Sequence, residues 1–277
     1  MTIYCLGPEG SYSDKSAKII SKVLNDGDIV YCSSIYEVFE YLTNDKRENV
    51  YGVVPSENSI EGSVSLTQDL LLEFDVKILG ELDMKIHHAL IGYDKSKIKK
   101  VMSHPQALAQ CLKYIKKNGW EVIPVSSTAK AIKKVYELKD EELGAIGPKE
   151  GGKLYNLNII EEDIQDYPNN VTRFILIGNK NHQNIITDYK KSTIILELKE
   201  DKPGALYNIL KEFNERKINL NRIESRPSKK RLGTYIFYID YDYPNDKELE
   251  NDLLEGISKY CTFIKHKGTY GVIKELD

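Results

Sequence analysis

In YPNNVTRFILIG, residues 167–178, a hydroxyl and a guanidinium stand at the mouth of an apolar strand. Phe174 to Ile177 read as the buried run and Gly178 as its end, so a core alone has no need of Thr172 and Arg173. Arg173 suits two-pronged contact with a carboxylate, and Thr172 supplies a small directional hydroxyl. For the pair in isolation, a surface ion pair and a β-branched strand residue explain as much.

Three further polar clusters sit at turns. GPEGSYS, residues 7–13, has glycines that let backbone approach a ligand, with Ser11 and Ser13 near a helix N-terminus, which favours anions. The plain alternative is a turn plus an N-cap, and the spacing matches neither a Walker A loop nor a dinucleotide fingerprint. VVPSENSIEGS, residues 53–63, places Ser56, Glu57, Asn58 and Ser59 after a buried strand. Asn58 and Ser59 can orient a hydroxyl or carboxylate without adding charge, or simply cap a loop. SHPQ, residues 103–106, sets Ser103, His104 and Gln106 at a helix start, where the local field favours neutral imidazole. No Asp or Cys is patterned with His104 as a triad, so nucleophilic catalysis has little support.

The elements that must position these clusters alternate between short apolar runs and amphipathic helices up to about residue 160. TIYCLG is a strand, followed by a helix with Ala17, Ile20 and Leu24 on one face and Gly27 as its stop. A second helix starts on a Ser34/Glu37 capping box and carries Ile35, Val38, Phe39 and Leu42. NVYGVVP, WEVIPV and LGAIG are strands; HPQALAQCLKYIKKNG is one helix with Leu108, Cys111, Leu112 and Ile115 inside, and SSTAKAIKKVYEL another. The pattern is α/β with mostly parallel sheets. GELDMKIHHALIGY, residues 80–93, crosses from one half to the other, and TRFILIG returns last, which makes two lobes with a cleft between them. Residues 179–192 are a polar linker. Beyond it, strand, helix, strand, strand, helix, strand in about 80 residues is the ferredoxin-like split βαβ.

Composition bounds the partners. With 39 Lys+Arg against 42 Asp+Glu in 277 residues the net charge is −3, which offers no basic field for nucleic acid. The four cysteines lie far apart without CxxC spacing, which argues against zinc and for free buried thiols in a reducing compartment. The opening MTIYCLGPEG goes straight to a strand and turn, and no apolar run approaches the ~20 residues of a membrane span. A soluble, cytoplasmic protein is expected.

In order along the chain, GPEGSYS, GVVPSENSIEGSVSLTQDLL, SHPQALAQC, STAKA, NNVTRF, KPGAL and IESRP resemble the prephenate dehydratase family, over residues 3–272. TRF alone is a weak motif; TRF followed by an ACT-type domain carrying GAL and ESRP is a strong one. The resemblance implies a two-lobed, periplasmic-binding-protein-like (type II) catalytic domain over 1–180, with lobe 1 at about 1–78 and 165–180 and lobe 2 at about 79–164. A ferredoxin-like βαββαβ ACT domain over 193–277 follows. It implies conversion of prephenate to phenylpyruvate with loss of carbon dioxide and water, regulation by L-phenylalanine, no cofactor and no metal, and a homodimer or homotetramer through the ACT domains. Thr172 is then catalytic, and Ser11, Asn58, Ser59, Ser103, His104, Gln106, Arg173 and Phe174 form the substrate-binding set. Gly204, Ala205, Leu206, Asn219, Glu224, Ser225, Arg226 and Pro227 form the effector set. The chain departs from the family pattern at Ser56, at Ser11–Tyr12, in AIGPKEGG and at Tyr207. Two alternatives share the pattern: an arogenate dehydratase, and a non-enzymatic aromatic-acid binding protein with an ACT sensor.

The residues suit that chemistry. Losing the ring carboxylate and the ring hydroxyl from prephenate creates an aromatic ring, so no electron sink is required. Hydroxide leaves poorly without a proton or a strong hydrogen bond, and Thr172 can donate one. A tight grip on the ring carboxylate would oppose its loss as carbon dioxide, so Arg173, if it touches substrate, should favour the side-chain carboxylate.

Overall fold

A computed structural model describes residues 1–179, 186, 188–229 and 233–274; residues 180–185 and 187 of the expected 179–192 linker lie outside the described residues. The chain opens with β1 (Thr2–Leu6) and α1 (Tyr12–Val23), whose buried face includes Ala17, Ile19 and Ile20. β2 (Asp28–Cys32) and α2 (Ile35–Asn44) follow. Ser34 Oγ accepts from Glu37 N at 3.2 Å, while the Glu37 carboxylate takes Ser33 N at 2.8 Å, one residue earlier than a standard capping box. β3 (Val50–Asn58), the two-residue β4 (Gly62–Ser63), α3 (Ser65–Glu73) and β5 (Val76–Lys85) complete the first run.

The second run is β6 (Ala89–Gly92), β7 (Lys100–Ser103), α4 (Pro105–Gln110), α5 (Leu112–Asn118), β8 (Glu121–Pro124), α6 (Thr128–Leu138), β9 (Leu143–Gly147), α7 (Lys149–Leu154) and β10 (Asn158–Glu161). β11 (Val171–Asn179) then returns to the first sheet, antiparallel to both β3 and β5. Two differences from the sequence reading follow. β5 stays in the first sheet, so the chain crosses to the second after Lys85 rather than at 79. The helix expected over 104–119 breaks at Cys111: Asp166 N takes the Gln110 carbonyl at 2.7 Å, and the Asp166 carboxylate takes Lys113 N. Leu112 consequently faces out, 43% exposed.

The C-terminal unit is β12 (Lys191–Leu198), α8 (Ala205–Glu215), β13 (Leu220–Pro227), β14 (Tyr235–Asp242), α9 (Lys247–Ser258) and β15 (Cys261–Val272). One face of its sheet buries Ile194, Leu196, Ile239 and Tyr241 against Ile209, Phe213, Leu253 and Ile257 of its two helices. The other face presents Ile195, Ile236, Tyr238 and Tyr270 to Phe39, Leu71 and Ile78 of the first lobe, in one shared core. The strict alternation in β14 is what divides these residues between the faces. β15 pairs in parallel with β5 at Gly271↔Gly80 and Val272↔Glu81, so a single ten-stranded sheet runs β13-β14-β12-β15-β5-β11-β3-β1-β2, with β4 on β3. Lys265 and Lys267 of β15 donate to the Leu72 and Phe74 carbonyls at the C-terminal end of α3, at 2.8 and 3.0 Å, where a helix end favours cations. The second lobe is a separate five-stranded sheet, β10-β6-β9-β7-β8.

Candidate active site

Between the two sheets lies a cleft with a cavity volume of about 270 Å³. Ser11, Asn58, His104, Gln106, Thr172 and Phe174 all line it, so six of the nine sequence-predicted site residues meet there. Thr172 and Asn58 are direct cross-strand partners on β11 and β3. Asn58 Nδ2 donates to Thr172 Oγ1 at 2.9 Å and to Asn170 Oδ1 at 2.7 Å, while its Oδ1 accepts Ile60 N and Glu61 N at 3.0 and 3.1 Å. Those two backbone amides fix which end of the Asn58 side chain is the donor. Thr172 Oγ1 accepts from Asn58 and lines the cleft, so its hydroxyl proton is available to a ligand there.

The network continues. Asn170 Nδ2 donates to Gln110 Oε1 at 2.9 Å, and His88 Nε2 lies 3.0 Å from the same oxygen. An oxygen flanked by two nitrogens assigns the proton to His88 Nε2. Burial, the dominant effect, holds His88 below the usual histidine range and keeps it neutral. On the other wall, Ser11 caps α1 by accepting Asp14 N at 3.2 Å, and Ser127 caps α6 by accepting Lys130 N at 3.1 Å. Tyr12 reaches across to the opposite lobe, where its hydroxyl accepts His87 N at 3.0 Å. His104 Nδ1 accepts Gln106 N at 3.3 Å, which leaves Nε2 as the donating ring nitrogen. The positive ends of α1 and α6 thus face the cleft, which no Lys or Arg lines among the described residues.

Three expected residues lie elsewhere. Arg173, one step along the strand, faces the opposite side of the sheet from Thr172. It is buried there against Glu81 (2.7 Å), Asp240 (2.6 Å) and the Tyr270 hydroxyl (2.7 Å), and is not available to a substrate carboxylate in the cleft. Ser103 is fully buried and donates to the Ile146 carbonyl at 2.5 Å, holding β7 to β9. Ser59 staples the turn after β3 to the mouth of β11, accepting Val171 N at 2.9 Å. In the effector set, Gly204 caps α8 with φ 85°, exposed and followed by half-buried Ala205 and Leu206; Asn219 is exposed. Alternation along β13 exposes Ser225 and Pro227 but turns Glu224 and Arg226 to the first lobe, where Arg226 meets Asp69 at 3.0 Å and Ser65 at 2.9 Å.

Sequence reasoning missed Asn170, Gln110, His88, Tyr12 and the Ser126–Thr128 turn as cleft residues. Gln106 and Gln110 stand four apart on one helix, a spacing that shares a face and was readable. His88 had no local signal, because only the crossing between sheets brings it to Gln110. The Ser56 departure does not line the cavity: it is buried, and its Oγ accepts Gln68 Nε2 at 3.2 Å.

A two-lobed cleft faced by helix N-termini, with a βαββαβ unit continuous with its sheet, defines an α/β cleft enzyme carrying an ACT-type module. The chain belongs to the prephenate dehydratase family: the family profile matches residues 3–182, and the ACT domain profile residues 192–255. A prephenate dehydratase of Methanocaldococcus jannaschii is 61% identical over 272 residues, covering 98% of this chain and 97% of that protein. The prephenate dehydratase of Arthrobacter aurescens, solved in complex with L-Phe, superposes with a TM-score of 0.87 at 30% identity, covering 98% of this chain and 90% of the other. The enzyme of Staphylococcus aureus superposes with a TM-score of 0.83 at 31% identity, covering 98% and 100%.

Proposed function

We propose that this chain converts prephenate to phenylpyruvate in the cleft between its lobes, with Thr172 as the catalytic residue. One prephenate dianion and one proton give one phenylpyruvate anion, carbon dioxide and water. The electron pair of the breaking carboxylate bond enters the ring as the ring hydroxyl departs. Thr172 donates a hydrogen bond to that departing oxygen, and solvent supplies the proton that completes the water. Assistance of this kind is worth ~100- to 10,000-fold.

The observation that carries this reading is the polarity of the Asn58–Thr172 bond, which reserves the Thr172 proton for a ligand. The absence of Lys and Arg from the described cleft lining supports it. Helix N-termini and neutral donors hold a dianion without pinning the ring carboxylate as a cation would. Gln106 and the Ser126–Thr128 turn grip the pyruvyl end from the second lobe, Ser11 from the first, and Phe174 packs on the ring.

L-Phenylalanine acts through the C-terminal domain and lowers activity. Its carboxylate meets the N-terminal turn of α8 just after Gly204, and its side chain meets the exposed face of β13 that bears Ser225 and Pro227. β13 ends the sheet, and a second copy docking on that edge gives a homodimer or homotetramer. The protein works in the cytoplasm.

The test is phenylpyruvate formation and proton uptake by purified protein given prephenate, with and without L-phenylalanine. Turnover at one proton per phenylpyruvate, suppressed by L-phenylalanine, is expected. Turnover of arogenate but not prephenate would contradict the substrate assignment.

A further inference from the structure

Behind the cleft, the sheet carries a charge arrangement that the reaction does not use. Thr172 and Asn58 are cross-strand partners facing the cleft; the next pair along, Arg173 and Glu57, are also cross-strand partners and face the C-terminal domain. Opposite them stand Asp240 and Arg222, themselves cross-strand partners on β14 and β13. The charges match crosswise: Arg173 Nη1 lies 2.6 Å from Asp240 Oδ2, and Arg222 Nε lies 3.6 Å from Glu57 Oε2, with Arg222 Nη1 3.7 Å from Asp240. Tyr270 holds a second Arg173 nitrogen at 2.7 Å, and Thr193 Oγ1 donates to Asp240 Oδ1 at 2.7 Å. Three strands of the C-terminal domain, β13, β14 and β15, therefore reach the residues adjoining Thr172 and Asn58, and Thr193 of β12 braces Asp240 behind them.

A second, independent feature makes this grip consequential. The β11–β3 register slips between Arg173 and Phe174, where Phe174 stands opposite Pro55, which has no N–H to give the ladder. At that point side-chain contacts behind the sheet take over part of the ladder's task of fixing the strand. An error of about 1 Å in a reacting group can cost ~100-fold in rate.

We infer that Arg173 is a positioning residue: the C-terminal domain holds it through Asp240 and Tyr270, it sets the Thr172 hydroxyl one peptide away, and a ligand on that domain reaches the cleft by shifting this contact. The inference rests on the reading of Thr172 as catalytic and of L-phenylalanine as effector. It goes further in assigning the route.

The experiment compares wild type with Asp240→Asn, Tyr270→Phe and Thr193→Val, each checked for folding by circular dichroism and thermal melting. For each, kcat and KM for prephenate, L-phenylalanine binding by calorimetry, and the change in kcat at saturating L-phenylalanine are measured. Asp240→Asn should lower kcat about tenfold with KM within about twofold, keep L-phenylalanine binding, and cut its effect on kcat by at least about fivefold, the low end of ordinary coupling factors. Arg173→Lys, which keeps the charge but cannot span Glu81 and Asp240, should lower kcat to a similar extent. Folded variants with wild-type kcat and full effector response would overturn the inference, as would a rise in KM at unchanged kcat. If Asp240→Asn fails to fold, Tyr270→Phe and Thr193→Val, which each remove a single hydroxyl, decide by the same criteria. Failure of the underlying reading looks different: Thr172→Ala would then turn over like wild type, or wild type would ignore L-phenylalanine.

Discussion

In the proposed mechanism Thr172 is useful because Asn58 donates to its oxygen and so leaves its proton for the substrate. Asn58→Asp keeps the acceptor for Ile60 N and Glu61 N but replaces the donor, so the Thr172 proton is drawn to the new carboxylate. The expected result is a kcat about 100-fold lower with an unchanged fold, read by phenylpyruvate assay and circular dichroism. His88 makes a pH prediction. Its folded pKa lies below 6.5, so below that pH the unfolded chain binds a proton that the native state refuses. Its contribution to stability is full above about pH 6.5 and is lost as pH falls towards its depressed native value. Melting temperature should decline as pH falls below 6.5, and His88→Gln should flatten that decline. Much of the site was legible at this scale: Thr172, Asn58, His104 and Gln106 announce themselves as polar groups at element ends. Arg173 did not, because a sequence gives the period of a strand but not what lies behind it. Asn170 and Gln110 were hidden because they reach the cleft as links between Asn58 and His88, and those links join segments far apart in the chain.

The elements most easily read were those with clean periodicity: α1, α2, α6, α8, α9 and the strands β1, β3, β9, β12 and β14. β2 was missed because its residues are mostly exposed, and α7 because KEGGKL contains two glycines, which cost roughly 1 kcal/mol each in a helix. Close approach explains those glycines. A Cβ on Gly151 would lie 2.7 Å from Ile132 Cδ1 and 3.2 Å from the Gly10 carbonyl oxygen, so the backbones of the two lobes touch across the cleft. Lys15 on α1 bridges to Glu150 on α7 at 2.8 Å beside this contact. Gly151→Val should prop the lobes apart. We expect kcat/KM to fall about tenfold or more while secondary structure by circular dichroism stays at wild type. The α4–α5 break was unreadable for a similar reason, since the group that causes it, Asp166, arrives from more than fifty residues away.

At the scale of the whole molecule, two lobes and a C-terminal βαββαβ unit follow from the order of elements, but the single sheet joining that unit to the first lobe does not. The junction depends on Gly268, whose φ of 131° suits glycine and whose Cβ would collide with the Ile78 carbonyl oxygen. Gly268→Ala should cost ~1–3 kcal/mol in urea denaturation, through strain and displacement of β15 from β5. The sequence could not signal this, because a glycine in a strand marks a close approach without naming its partner. The same junction carries the shared core and the contact behind Thr172, so in the proposed mechanism catalysis and regulation would share one continuous sheet. The most direct measurement is the steady-state rate of phenylpyruvate formation from prephenate by Thr172→Ala and Thr172→Ser beside wild type, with folding verified. A kcat reduced at least about 100-fold in the alanine variant, partly restored in the serine variant, at similar KM, is the predicted result. Wild-type kcat in Thr172→Ala would contradict the account.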